Sequence, residues 1–396
     1  MGFFDLPAFA LRERLPQLIK RKKDEVCDWA YSYRYFSSWP AYSSNPAGRW
    51  LLSLVPYSRL RSAATPLLSG THTRVWPPQT HASLLSTTHS RMYAMMHLAI
   101  HDALNAIDRR FQPYVLDKPA EPGAFPDAAV AAAARDVLVP LLAQLPRELP
   151  FIIQSCIDAS IASVETAYTA ALAALPDGPA KTQGIAVGQA AAAAILARRA
   201  ADGAVGPFLN SNCPQESPPG KYQCTPGFRF IAFEVWGKVN LFVLQDSAQF
   251  RPGPPYALND KNYTADFNEV KSLGGDGLAT PSARTADQTE IAYFWWESSP
   301  LKWNRIARAV SVNAGFTPWQ NARLFGLLNM ALADGYVAAM SATKNHYNYW
   351  RPVTAIRTGE TDGNSDTVGD PPGHRYVRPL RTKTTPPSRH SRRSRC

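Results

Sequence analysis

Residues 317–352 read TPWQNARLFGLLNMALADGYVAAMSATKNHYNYWRP, and this stretch decides the fold class. Thr317-Pro318-Trp319-Gln320 has the form of a helix start, with a threonine cap, proline at the first helical position and glutamine where a capping box requires it. The apolar residues that follow predict a helix over 318–347, with Leu324, Leu328, Ala331, Gly335 and Ala339 as its expected inward stripe. At the end stand Lys344 and Arg351, seven positions apart, with Pro352 directly behind. Seven residues of α-helix turn through roughly 700°, which would set the two cations about 20° apart on one face. A tetrahedral oxyanion such as phosphate or vanadate needs several fixed positive donors, and an ammonium beside a guanidinium fork supplies two of different geometry. Pro352 disfavours helical backbone at Arg351, so the arginine is expected to cap the helix end and project outward. The competing reading is a solvated, idle surface pair.

Upstream, helical periodicity begins near Ser90, where Met92, Met96, Ala99, Ala103 and Ile107 recur at three- and four-residue steps. Further helices are predicted at 127–145 with Asp127 as N-cap, at 150–175, and at 179–202, the last two being alanine-rich and divided by Pro176 to Pro179. Residues 203–262, rich in Pro, Gly and aromatics, read as a long ordered loop over the bundle, and helices resume at about 283–299 and 300–314. No strand-period stretch emerges, so the expected fold is all-α. Residues 1–85 show no sustained period, and 371–396 are polar and basic, so both flanks are expected to lie outside the helical domain at 86–370.

The net charge of +11 is unevenly spread: residues 1–91 hold 12 basic and 5 acidic residues, 371–396 hold 8 basic and none acidic, and the middle holds 22 against 26. A mildly acidic domain with basic flanks argues against nucleic acid as the partner. Residues 50–69 are broken by Pro56, Arg59 and Arg61 and fall short of a membrane span, and no secretory signal is visible at the N-terminus. Cys27, Cys156, Cys213, Cys224 and Cys396 give no metal-site spacing. Cys213 and Cys224 bracket a Pro/Gly-rich loop and either close a small disulfide, if the protein is exported, or remain two thiols.

Three stretches together resemble the bacterial vanadium-dependent haloperoxidases of the type 2 phosphatidic acid phosphatase superfamily. They are Met96 to Tyr114, the helix through Tyr336 to Lys344, and Lys344 to Pro352 with its continuation Val353 to Asn364. The resemblance spans about 86–370. It implies a helical bundle in which Lys344 and Arg351 hold the oxygens of vanadate, or of phosphate in the phosphatases, with hydrogen peroxide and a halide or small organic molecule as substrates. The family's other two motifs are P-S-G-H, carrying an acid/base histidine, and S-R-x6-H, whose histidine bonds to vanadium or attacks phosphorus. Neither stands intact in this sequence. Pro387-Ser388-Arg389-His390 is the nearest approach, with arginine in place of glycine. One choice of codons for Gly373–Pro387, read a base earlier, spells a peptide like the family's approach to its second motif, so a frameshifted or truncated C-terminus is expected. The functional expectation is a haloperoxidase-like protein of negligible turnover. A phosphomonoester hydrolase and a non-catalytic helical remnant or interaction module are the alternatives.

Other candidates have blander readings. His97, His101 and Asp102 could face a metal, but a helix buried beside a polar network accounts for them better. His346 could border the anion pocket, Trp350 reads as an apolar anchor, and Asp334 reads as a structural partner, with a buried cation as one candidate for its mate. Gly274-Gly275-Asp276-Gly277 lacks the G-K-[ST] of a phosphate loop and reads as a turn.

Overall fold

The computed structural model describes residues 86–145, 154–225, 229–277, 280–296 and 298–370. The readings placed on 1–85 and 371–396, His390 among them, lie outside these residues. The fold is all-α. Its helices are α1 (Ser86–Ile107), α2 (Pro126–Ala143), α3 (Gln154–Ala173), α4 (Pro179–Arg198), α5 (Lys261–Gly274), α6 (Ala286–Trp296), α7 (Ser299–Ala314), α8 (Pro318–Ala338) and α9 (Pro352–Arg357). Among the described residues one two-residue antiparallel pair interrupts them, β1 (Leu209–Asn210) on β2 (Ile231–Ala232), with Leu209 opposite Ala232.

α1 is buried on almost every side, its polar residues Ser90, His101, Asp102 and Asn105 included, and it packs against α2, α4, α7 and α8. Met92, Met95, Leu98, Ile100 and Leu104 join Val137, Leu142, Ile195 and Met330 in one core. α2 and α4 approach so closely that a methyl group on Gly188 would collide with the Ala129 carbonyl and sit 2.8 Å from the Ala132 Cβ. α8 runs antiparallel to α1: Phe325 stacks on His97, while the Trp319 indole donates to the carbonyls of Leu104 and Asp108 at 3.0 and 2.9 Å.

The capping box of α8 forms as expected, Thr317 and Gln320 each accepting from the other's backbone. The expected inward stripe does not. Phe325, Asn329, Met330, Ala333 and Val337 face inward, while Ala331, Gly335 and Ala339 are exposed and Leu324 and Leu328 only half-buried. The inward face carries polar groups that find partners, which an apolar count cannot reveal: Asn329 and Asn304 exchange two amide hydrogen bonds of 2.9 and 2.8 Å. By length and hydropathy alone the rod Pro318–Asn345 could cross a membrane, and it lies here along α1. Asp127 is likewise not the N-cap of α2. Phe125 holds that place because Pro126, with its fixed φ, occupies the first helical position and moves the helix start back one residue.

Two buried aspartates perform one task twice. Asp102 on α1 accepts from the backbone N–H groups of Tyr114, Val115 and Leu116 at 2.6, 2.7 and 2.9 Å. Asp334 on α8 accepts from those of Phe242, Val243 and Leu244 at 2.6, 2.8 and 2.9 Å. Each carboxylate hooks an aromatic-Val-Leu triplet. The two hooks touch where the Tyr114 hydroxyl donates to the Phe242 carbonyl at 2.8 Å. The loop hooked by Asp334 therefore takes the place of the cation that was one expectation for it. Arg199, buried beside Asp202 at 2.8 Å, donates to the Leu241 carbonyl and lies 3.8 Å over the Phe242 ring.

Candidate functional site

The helical ladder of α8 widens at its C-terminal end into a π-helix, Ala339–Asn345, that carries Lys344. A π-turn leaves carbonyls off the regular ladder and is often found where a helix does chemistry. Here the long segment after α4 takes up what is freed. The Arg251 guanidinium donates to the Ala342 carbonyl at 3.1 Å, and Ser247 hydrogen-bonds Ser341 at 2.9 Å. The short 3-10 turn Glu234–Lys238 lies on the π-helix at Gly237, where a Cβ would stand 2.9 Å from the Ser341 nitrogen. Asn345 fastens that turn by donating to the Glu234 carbonyl at 3.2 Å.

The helix does not continue from Lys344 to Arg351. Asn348 adopts a left-handed conformation with φ of 47°, Tyr349 makes an isolated bridge to Lys221, and Arg351 is extended, at φ −85° and ψ 153°. Arg351 thus caps the start of α9 and not the end of α8. Pro352 is the physical cause, as read from the sequence, but the 20° helical phasing inferred from the spacing is replaced by a turn. Burial, and after it the neighbouring charge of Arg351, holds the Lys344 ammonium below the usual lysine pKa, although much of the residue's surface reaches solvent. The Arg351 guanidinium is exposed and lies 5.9 Å over the Tyr222 ring.

Tyr222 is fixed from both sides. Its N–H donates to the Asn348 carbonyl at 2.9 Å, and Cys213 and Cys224 are joined in a disulfide that closes its loop. Of the two readings open for these cysteines, the structure has the bridge. Beneath the turn, Trp350 is buried with Tyr263, Phe267 and Ile356, the apolar anchor expected of it. Tyr263 and Phe267 come from α5, a helix that begins at the end of the segment read as a loop and runs on through residues to which no element was assigned. Its signals were Asp260, whose side chain accepts from the Asn262 N–H, and the four-residue step between its two aromatics. His346 is exposed, edge-on to Tyr347 with ring centroids 4.7 Å apart.

The remaining candidates are structural. His101 bonds the Gln112 carbonyl at 3.0 Å, Asp102 is filled by its three backbone donors, and His97 stacks on Phe325, so the three side chains diverge. Asp276 accepts from the Thr280 N–H at 2.8 Å in a turn closed by Gly277 at φ +72°. Tyr222, Arg251 and Gly237 are the neighbours that the sequence reading did not single out. Their only signal was the length of the loop that carries them.

Solved structures with this bundle are known. One, described as the first bacterial vanadium-dependent iodoperoxidase, superposes with a TM-score of 0.52 at 16% identity over 74% of this chain and 75% of its own. A second, a holo-type bacterial vanadium-dependent chloroperoxidase, gives 0.51 at 15% identity over 69% and 64%. The fold is that of the bacterial vanadium haloperoxidases. This chain spans three quarters of the first haloperoxidase and somewhat less than two thirds of the second. No family model matches the chain, and no curated protein sequence does.

Proposed function

We propose that this chain is a haloperoxidase-like oxyanion-binding protein in which Lys344 and Arg351 hold a tetrahedral anion, vanadate in the first place. The observation that supports this most is that the Lys344 ammonium is held below the usual lysine pKa, by burial first and by the charge of Arg351 after it, even though the chain leaves the helix between the two residues. An anion between them would relieve both that repulsion and the desolvation of Lys344. The donor set suits an oxyanion better than a bare cation: among the described residues no three His, Cys, Asp or Glu side chains gather as metal ligands. Bound vanadate would supply a centre at which hydrogen peroxide is activated toward a halide. Arg351 would grip two anion oxygens through its fork, and Lys344 would place a point charge on a third. The Tyr222 face and the Trp350 anchor would fix the approach of the guanidinium. Because the sequence holds neither P-S-G-H nor S-R-x6-H, the proposal is capture of the anion with negligible turnover.

Vanadium-51 NMR of orthovanadate titrated into the full chain tests this. We expect saturable line broadening that weakens at least about tenfold in Lys344→Ala and in Arg351→Ala, and nearly as much in Arg351→Lys, which keeps charge but loses the fork. Unbroadened lines with the unmutated protein, or variants that bind as well as it does, would sink the proposal. The charge of the pair suits phosphate equally, so phosphomonoester hydrolysis is the second reading. Release of nitrophenol from its phosphate ester without peroxide would favour it, and bromide-dependent halogenation with peroxide and vanadate would exclude the negligible-turnover reading.

A further inference from the structure

The second half of α6 is made of apolar residues that nothing covers. Ile291 to Trp295 are all exposed, and among the described residues no other helix or strand packs along the length of α6. A helix with apolar groups on every side is normally enclosed.

Its C-terminal turn continues into a ridge on α7. Trp295 stands one turn beyond Ile291 and meets Trp303 with ring centroids 5.9 Å apart. Trp303, Ile306 and Val310 follow at three- and four-residue steps, so they form one stripe about 10 Å long on α7. Its two ends are exposed and Ile306 is half-buried. From beneath, the buried Lys302 sets its ammonium 4.7 Å from the centroid of the Trp295 ring and 5.1 Å from that of Phe294. A cation against both rings holds them in place, so little side-chain freedom is lost when a partner covers them.

Tyr293, Phe294, Trp295 and Trp303 are between 39% and 53% exposed. At about 200 Å² for a full aromatic side chain, and with Ile291 and Val310 added, the face leaves roughly 500 Å² of apolar surface in water. That is at the upper end for a single patch on a monomer. With its polar rim it comes near the ~800 Å² that each partner contributes to a stable interface. The rim carries both signs, Asp287 and Glu290 against Arg305, so it does not set two copies against each other. The stripe is also self-complementary. Turned end for end, it sets Trp303 over Val310 and Val310 over Trp303, large against small, with Ile306 near the middle.

We propose that this face docks a second copy of the chain, α7 against α7 in antiparallel register about a twofold axis near Ile306, with the α6 aromatics closing the contact on either side. Light scattering and cysteine cross-linking of the full chain test this. The molar mass is expected to rise with concentration from one chain to two and to stop there, since a twofold face closes on itself. Ile306→Cys, placed at the axis, should couple to its own copy under mild oxidation at least about tenfold more than the unmutated chain does through Cys27, Cys156 and Cys396. Asn313→Cys, two turns beyond on exposed surface, should not, because its antiparallel copies stand about 20 Å apart. A single-chain mass at every concentration would mean that a segment outside the described residues, or a different protein, covers the face. Growth beyond two copies would mean an open contact, and equal coupling at positions 306 and 313 would mean that the register is not antiparallel. Each of these three outcomes overturns the proposal. Should Ile306→Cys fail to fold, the mass of the unmutated chain decides.

Discussion

Asp102 and Asp334 show what a single buried carboxylate does in this bundle. Each is almost fully enclosed, and each satisfies three consecutive N–H groups that would otherwise be orphaned in the interior. An asparagine keeps one acceptor oxygen but turns an NH2 group toward backbone donors, so Asp102→Asn or Asp334→Asn should each destabilise by about 2–4 kcal/mol, read as a lowered midpoint in urea with an unchanged slope. A midpoint within experimental error of the parent would show that the hooks contribute little. His97 carries a pH signature. Its folded-state pKa of about 3, and that of buried His89 at about 4, lie below the ordinary 6.5, so the unfolded chain binds more protons. Their contribution is complete above pH 6.5 and is lost as pH falls toward 4. Asp127, raised to about 7 by burial, works in the opposite direction, and its contribution is lost as pH rises from 3.8 through 7. His97→Phe should therefore flatten the loss of stability around pH 5 by up to roughly 1.4 kcal/mol per pH unit. An unaltered slope would mean that His97 titrates normally.

At the level of elements, the cationic turn depends on the loop laid over it. The bridge between Cys213 and Cys224 confines Tyr222, and Tyr222 holds both Asn348 and the face of Arg351. Cys213→Ser with Cys224→Ser should cost about 2–3 kcal/mol, the range expected for a short closed loop. It should also weaken orthovanadate binding, because this loop holds the turn that carries Arg351. Orthovanadate binding equal to the parent's in the double variant would show that the bridge does not support the turn. The local chemistry of this region was partly written in the sequence. Thr317-Pro318-Trp319-Gln320 announced the start of α8, Pro352 announced the break before α9, and Trp350 announced its anchor. The π-turn was not legible, because widening a helix by one residue per turn leaves no pattern in composition. The inward face of α8 was misread for a related reason: Asn329 and Asp334 are buried by virtue of partners on α7 and on the loop after Asn240, far away in the chain. α5 was missed because only Tyr263 and Phe267 of its face reach the core.

For the molecule as a whole, periodicity was sufficient for the all-α class and for one buried face of α1 through Met92, Met96, Ala99 and Ala103, but not for the enclosure of its other sides, where Ser90, Asp102 and Asn105 are buried as well. A cleft lined by His97 was not readable, because it is bounded by residues from five helices spread over more than two hundred positions. One surface remains incongruous with a well-dispersed monomer. Phe294, Trp295 and Trp303 form an exposed aromatic group with ring centroids 5.2 and 5.9 Å apart, flanked by exposed Ile291 and Val310. Apolar groups of this kind drive self-association. Concentration-dependent sedimentation is expected, and Trp295→Glu with Trp303→Glu should reduce it; a monomer at all concentrations would contradict this. The paired hooks also bear on how the chain tolerates change. Because Asp102 and Asp334 each grasp the backbone at a fixed triplet, the count of residues leading up to that triplet is reset there. Extra residues placed in the exposed stretch at Ser211 and Asn212 should therefore leave the next helices in register, as slack in a rope is absorbed before the cleat.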